Sequence, residues 1–87
     1  MSASILTETQ LGHLLQGYRK ARGMNQTQLA QRAGISQARL STLESHPGRI
    51  TVAQLLRLTA ALGLDLRIDE SPPETAHRVA DSAAPEW

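Results

Sequence analysis

Apolar residues recur at spacings of three and four in four segments of the first 63 residues. Such spacing places the residues on one face of an α-helix. The four sets are Leu11, Leu14, Leu15 and Tyr18; Leu29 and Ala33; Leu40 and Leu43; and Val52, Leu55, Leu56, Ala60 and Leu62. The pattern predicts an all-α domain over residues 1–63, built from four helices with short connections.

Helix-capping residues stand at the start of three of these segments. Thr7, Asn25 and Thr51 each carry a side-chain oxygen that can accept a backbone N–H of the first turn, and a glutamine follows three residues later. This combination is the capping-box pattern. Gly23 and Gly63 stand where the first and fourth helices should end. The sequence therefore predicts where the helices begin and end, in addition to their apolar faces.

Two short amphipathic helices meet at Gly34 in the centre of the chain, over residues 26–45. Glycine can adopt φ > 0 at a sharp turn without steric cost. Ser36 offers a hydroxyl as N-cap for a helix beginning at Gln37. Ala30 is small where the first of these helices would press against the second. The stretch therefore predicts a helix-turn-helix.

This stretch resembles the helix-turn-helix of the lambda/434 repressor and Cro class, and the resemblance covers residues 7–63. In that class the second helix enters the major groove of DNA with its N-terminus first. Gln37 is the best candidate for base readout, because a carboxamide can form a bidentate pair with adenine. By matching positions, the resemblance assigns base readout to Ser36, Gln37, Ala38, Ser41 and Thr42.

The same resemblance implies a set of phosphate contacts. In the repressor class a glutamine at the position of Gln26 holds a phosphate together with the helix N-terminus, where backbone N–H groups favour anions. Thr27, Arg22 and Arg49 are further candidates, and Arg39 is long enough to reach either a phosphate or a guanine. A dimer on palindromic operator DNA, with half-sites ~34 Å apart, is expected.

The hydrophobic period changes from about 3.6 to 2 over residues 64–69 (LDLRID). This alternation predicts a short strand with Leu64, Leu66 and Ile68 on one face. A lone strand has unpaired backbone groups on both edges, so we expect it to pair with the same strand of a second subunit across a two-fold axis. The alternative is a frayed extension of the fourth helix.

Charge is distributed unevenly along the chain. Residues 1–63 contain seven Lys/Arg and two Asp/Glu, whereas residues 64–87 contain two Lys/Arg and six Asp/Glu. A basic head suggests nucleic acid as its partner. Residues 70–87 are rich in Pro, Ser, Ala and acids and are expected to be a disordered tail. That tail ends in Trp87, the single Trp of the chain and a candidate anchor for a protein partner.

Composition argues against several other classes of protein. The chain has no cysteine, so disulfides and cysteine-ligated metals are excluded, as fits a cytoplasmic protein. No stretch suggests a membrane span or signal peptide, and two aromatic residues are too few for an RNA module that stacks bases. There is no Ser-His-acid spacing and no Gly-rich phosphate loop. We therefore expect no enzyme, cofactor or metal.

The second half of the chain is similar to the HipB antitoxin family. The resemblance rests on residues 62–68 (LGLDLRI), which follow the repressor-like body, and on the terminal residues 85–87 (PEW). It implies a homodimer joined by a small intermolecular sheet, which represses its own operon and holds HipA, a serine/threonine kinase toxin. Trp87 would dock on that kinase. The alternatives are a phage-type or restriction-controller repressor without a toxin partner, and an interaction module that no longer touches DNA.

Overall fold

A computed structural model describes residues 3–71, which form four α-helices as the periodicity predicts. The helices are α1 (Glu8–Ala21), α2 (Gln26–Ala33), α3 (Gln37–Ser45) and α4 (Val52–Ala61), with a short 3₁₀ helix (Pro47–Arg49) between α3 and α4. Among the described residues, no helix combines the length and the apolar character that crossing a membrane requires.

The predicted caps are present at the helix starts. The side chains of Thr7, Asn25 and Thr51 accept the N–H groups of the glutamines three residues later at 3.1, 2.8 and 3.0 Å, and each glutamine accepts the N–H of its cap residue in return. Ser36 caps α3 by accepting the N–H of Arg39 at 3.0 Å. These bonds satisfy N–H groups that have no partner within the helix.

All four helices contribute to the core: α2 packs against α3 and α4, and α1 packs against α3. Its most deeply buried side chains are the leucines Leu29, Leu40, Leu43, Leu58 and Leu62. Ala30 is buried beside them, as its small size predicts for close helix packing. Burying a leucine contributes about 1.5–3 kcal/mol, so these five side chains are the main apolar contribution to the fold.

The predicted inner face of α4 is wrong in part. Leu55 and Leu62 pack in the core with Leu58, which the prediction omitted. Val52 and Leu56, however, are 72% and 52% exposed, and Ala60 is exposed too. Apolar residues at 52, 56 and 60 form a second stripe with the same spacing of four. Spacing alone could not decide which stripe faces α2.

Residues 64–70 have no regular secondary structure in the single chain. Since α4 ends at Ala61 and Gly63 has φ 72°, this segment does not extend the helix. Leu64 packs against the core, whereas Leu66 and Ile68 are 42% and 99% exposed. Strand pairing needs a second chain and stays a prediction. Apart from residues 70 and 71, the predicted tail with Trp87 lies outside the described residues.

One close contact ties α1 to the 3₁₀ helix. Gly12 is buried, and a Cβ atom added to it would lie 2.9 Å from Cγ and 3.2 Å from Cβ of Pro47. The proline ring is rigid, so it cannot move aside as a flexible side chain would. At Gly17, in the same helix, no atom outside the helix's own backbone lies within 4 Å of such a Cβ. Alanine substitutions at the two glycines therefore distinguish the effect of packing on stability from the effect of helix propensity.

Gly12→Ala and Gly17→Ala should differ in their effect on stability. Both substitutions gain about 1 kcal/mol in helix propensity, but overpacking against Pro47 costs roughly 1–3 kcal/mol. We expect the Gly17→Ala protein to be more stable than the Gly12→Ala protein by about that overpacking cost. Urea unfolding of both variants measures the difference, and equal midpoints would show that α1 does not press on Pro47.

Candidate nucleic-acid interface

The turn between α2 and α3 presents the N-terminus of α3 at the surface. Gly34 ends α2 in the left-handed region, with φ 75° and ψ 30°, a conformation that an L-residue adopts only with strain. The N–H of Ile35 then donates to the carbonyl of Ala30 at 3.0 Å, and the Ile35 side chain packs against the core. The chain is thereby fixed before Ser36 opens α3.

The predicted base-readout residues differ in how free their polar groups are. Gln37 and Ala38 are exposed. Ser36 is exposed too, but its oxygen accepts the N–H of Arg39 as the helix cap. The Thr42 hydroxyl donates to the carbonyl of Ala38 at 3.1 Å, and Ser41 is half-buried. Gln37 therefore carries the most available hydrogen-bonding capacity of the five.

The predicted phosphate contacts lie on several elements. Gln26 and Thr27 are the first two residues of α2, where backbone N–H groups lack intrahelical partners. Arg22 is at the C-terminus of α1, and its guanidinium lies 5.1 Å from the centre of the Tyr18 ring. The remaining two candidates are exposed arginines on α3 and on the 3₁₀ helix: Arg39 and Arg49.

A chain of hydrogen bonds joins the starts of α2 and α3 to the interior. Gln37 Nε2 donates to Gln26 Oε1 at 2.7 Å, and Gln26 Nε2 donates to Glu44 Oε1 at 3.0 Å. Glu44 in turn accepts two bonds from Arg19, from Nε to Oε2 at 2.8 Å and from Nη2 to Oε1 at 3.1 Å. The structure thus brings together the two glutamines that the sequence singled out.

The inner end of this chain is a buried, bidentate ion pair. The side chains of Arg19 and Glu44 are 10% and 4% exposed, and Arg19 Nη1 also donates to the carbonyl of Met24 at 3.0 Å. No buried side-chain nitrogen or oxygen in residues 3–71 lacks a hydrogen-bond partner. Removing one member of such a pair would leave a buried charge unpaired, which costs about 3–5 kcal/mol.

Arg19 and Glu44 were not among the predicted site residues. Each stands four positions after a buried leucine, Leu15 in α1 and Leu40 in α3. Residues four apart share a helix face, so each charge continues an apolar stripe into the core. The sequence therefore contained a signal for a buried ion pair, namely two opposite charges that each lie on the apolar face of a helix. Their pairing, across 25 positions of the chain, is decided by how α1 packs on α3.

Burial of this ion pair leaves the surface of the helical domain strongly basic. Lys20, Arg22, Arg32, Arg39, Arg49 and Arg57 are all exposed. Among residues 3–63, Glu8 is the one exposed carboxylate. The excess of positive charge predicted for the head therefore lies on the surface, where it can act on an anionic partner.

Comparisons with known proteins agree with this geometry. A family model described as a helix-turn-helix domain matches residues 10–70. Antitoxin HipB of Escherichia coli (strain K12) is 30% identical over 64 residues, which cover 74% of this chain and 73% of that protein.

Two solved structures contain chains of the same fold. A chain of a HipA-HipB-O2-O3 complex matches with a TM-score of 0.75 and 27% identity, covering 82% of this chain and 100% of that chain. A chain of a HipB-O1-O2 complex matches with a TM-score of 0.73 and 28% identity, covering 79% of this chain and 100% of that chain. Since the family model and HipB both match most of its length, the chain belongs to the HipB-like antitoxins of the lambda/434 repressor helix-turn-helix class.

Proposed function

We propose that this protein is a sequence-specific transcriptional repressor that acts as the antitoxin of a HipA-type kinase toxin and represses its own operon. The observation that carries DNA binding is the bond between Gln26 and Gln37, which couples the N-terminus of α2 to that of α3 at 2.7 Å. One glutamine is thereby held for a phosphate and the other for a base. Such a regulator acts in the cytoplasm, on the nucleoid.

In the proposed complex α3 enters the major groove with Gln37 leading. Its carboxamide pairs with adenine, Ala38 contacts a thymine methyl group, and Ser36, Ser41 and Thr42 meet neighbouring base edges. Gln26 and the first N–H groups of α2 hold a phosphate. Supporting phosphate contacts come from Thr27, Arg22, Arg39 and Arg49, and they make the affinity depend on salt.

We further propose that the repressor is a homodimer on a palindromic operator. The support is the apolar surface that the single chain leaves exposed, at Leu66 and Ile68 and on the second stripe of α4. Pairing of residues 64–69 with the same segment of a second subunit would cover Leu66 and Ile68 and satisfy the unpaired backbone groups. It would also set two α3 helices about one DNA turn (~34 Å) apart.

The antitoxin role rests on the family and on the tail. Chains of this fold occur in solved complexes of HipB with HipA and O2-O3, and with O1-O2. In this chain the acidic segment beyond residue 69 contains the single Trp, and Trp is enriched among the anchor residues of interfaces. We propose that Trp87 docks on a HipA-like kinase and that the tail is an entry point for proteolysis.

Replacing Gln37 with Ala should lower the affinity for the operator by roughly 1–3 kcal/mol, because a bidentate pair with a base is lost. The fold should persist, since Gln37 is exposed. Titration of labelled operator DNA by fluorescence anisotropy measures the change. Gln31→Ala, at an exposed glutamine of α2, is the matched control and should bind like the wild type. Equal binding by all three proteins would contradict the assigned role of Gln37.

Replacing Leu66 with Asp should weaken the dimer, because a charge would be buried between the paired segments. Sedimentation equilibrium at low micromolar concentration should show the mass of a dimer for the wild type and a lower average mass for the variant. Leu6→Asp places the same charge at an exposed leucine outside the segment and should stay dimeric. An unchanged mass for Leu66→Asp would count against pairing through residues 64–69.

The partner is tested by a pull-down from the native organism with three proteins: the full chain, a chain ending at Ser71, and the full chain with Trp87→Ala. We expect the full chain to recover a HipA-like kinase and the two altered chains to recover less of it. Recovery of operator DNA alone, equally by all three, would instead identify a stand-alone repressor without a toxin partner.

A further inference from the structure

We infer that Glu44 determines which base Gln37 accepts, although it is buried beneath the interface. It does so by fixing the orientation of two amide groups in series, those of Gln26 and Gln37. This inference rests on the proposed DNA binding and deepens it, since it adds a specificity-determining residue that itself touches no base. Arg19 and Glu44 are positioning residues in this scheme.

The series begins at Arg19 and Glu44, whose side chains differ in hydrogen-bonding capacity. The Arg19 guanidinium has only donors, and a carboxylate has only acceptors. Glu44 Oε1 therefore accepts both from Arg19 Nη2 at 3.1 Å and from Gln26 Nε2 at 3.0 Å. With a carboxylate at this position, Gln26 must present its nitrogen inward, and its oxygen must point the other way, toward Gln37.

The same logic then applies to Gln37. Because Gln26 presents an oxygen, Gln37 has to donate with Nε2, as it does at 2.7 Å. One N–H and the oxygen of Gln37 remain for the groove. Adenine offers an acceptor at N7 and a donor at N6, which this pair matches. Guanine offers two acceptors, N7 and O6, and would leave the Gln37 oxygen facing another acceptor.

Reversal of the series would change the preference. If Gln26 presented its nitrogen to Gln37, the Gln37 oxygen would be used in accepting that bond, and both N–H groups would face the groove. Donors alone suit guanine better than adenine. The buried carboxylate thus fixes the direction of the hydrogen bonds along the series. Adenine is favoured because the carboxylate at position 44 cannot donate a hydrogen bond.

Burial keeps the Glu44 carboxylate in one position and orientation. Glu44 is held by two bonds from Arg19, which is itself tied to the carbonyl of Met24 at 3.0 Å. With side-chain exposures of 10% and 4%, neither group of the ion pair can turn to water without losing its partner. At the outer end Gln26 is half-buried and Gln37 exposed, so the series runs from a rigid interior to the surface.

The test compares adenine with guanine at the base pair that Gln37 contacts. Selection from duplexes with a randomised core of ~20 base pairs, enough for two half-sites, defines the wild-type site. Single base-pair changes across that site, measured with wild type and Gln37→Ala, locate the contact of Gln37. Glu44→Gln is then measured on the adenine and guanine versions of that position.

We expect wild type to prefer adenine over guanine by about 5- to 150-fold, the range for one bidentate pair. Glu44→Gln replaces one oxygen by a donor of the same size. Whichever way the new amide turns, its nitrogen faces an N–H of Arg19, so the bidentate contact is lost and Gln26 no longer has an acceptor in a fixed position. We expect the preference to fall at least about fivefold. Circular dichroism and urea unfolding show whether the variant is folded.

Two further variants keep the test decisive. Gln26→Met removes the middle amide without touching the ion pair, so it should reduce the adenine-to-guanine ratio even if Glu44→Gln does not fold. Leu55→Ala weakens the packing of α4 on the core and lies outside the hydrogen-bonded series. It should lower stability and leave the ratio unchanged, which separates a change of specificity from general destabilisation.

The outcomes distinguish the two levels of the proposal. If wild type selects no sequence, DNA recognition fails and the inference fails with it. If wild type selects a site whose Gln37-dependent position is not adenine, DNA recognition stands and the inference is overturned. The same holds if folded Glu44→Gln, or failing that Gln26→Met, keeps the wild-type ratio. Loss of the ratio in these variants with Leu55→Ala unaffected establishes the role of Glu44.

Discussion

The buried pair of Arg19 and Glu44 is the constraint on which the rest of the structure depends. It joins α1 to α3 inside a core made mostly of leucine and alanine side chains. A buried ion pair often contributes little net stability compared with apolar residues. Its main effect here is to fix the relative positions of the helices. The bidentate contact fixes the position of α3 relative to α1, and the third bond of Arg19 fixes the chain just before α2.

The ion pair also accounts for the character of the surface. With Glu44 neutralised inside, the outer surface of residues 3–63 carries six cations against Glu8. The helix starts are satisfied by Asn25 and Ser36, so the two glutamines beyond them need not serve as caps. They are held instead by each other and by Glu44. Preorganisation of this kind reduces the entropy lost when a side chain is fixed on binding.

The segment after α4 and the outer stripe of α4 behave differently from the helical body. Val52, Leu56, Leu66 and Ile68 are apolar and exposed in the single chain. A small domain buries a smaller fraction of its surface than a large one, and a second subunit would add to the buried surface. The proposed two-fold dimer thus supplies both the missing contacts and the spacing that a palindrome requires.

The sequence by itself determined the local structure: four helices, their caps at Thr7, Asn25, Ser36 and Thr51, and the turn at Gly34. These depend on interactions within a few residues, which periodicity and capping patterns record directly. Through the repressor resemblance, it also singled out Gln26 and Gln37 as candidate DNA contacts. Tertiary structure alone decided which stripe of α4 faces inward and that Arg19 pairs with Glu44. Both depend on how helices distant in sequence pack together, because a helix with two apolar stripes, or a charge on an apolar face, does not specify its partner.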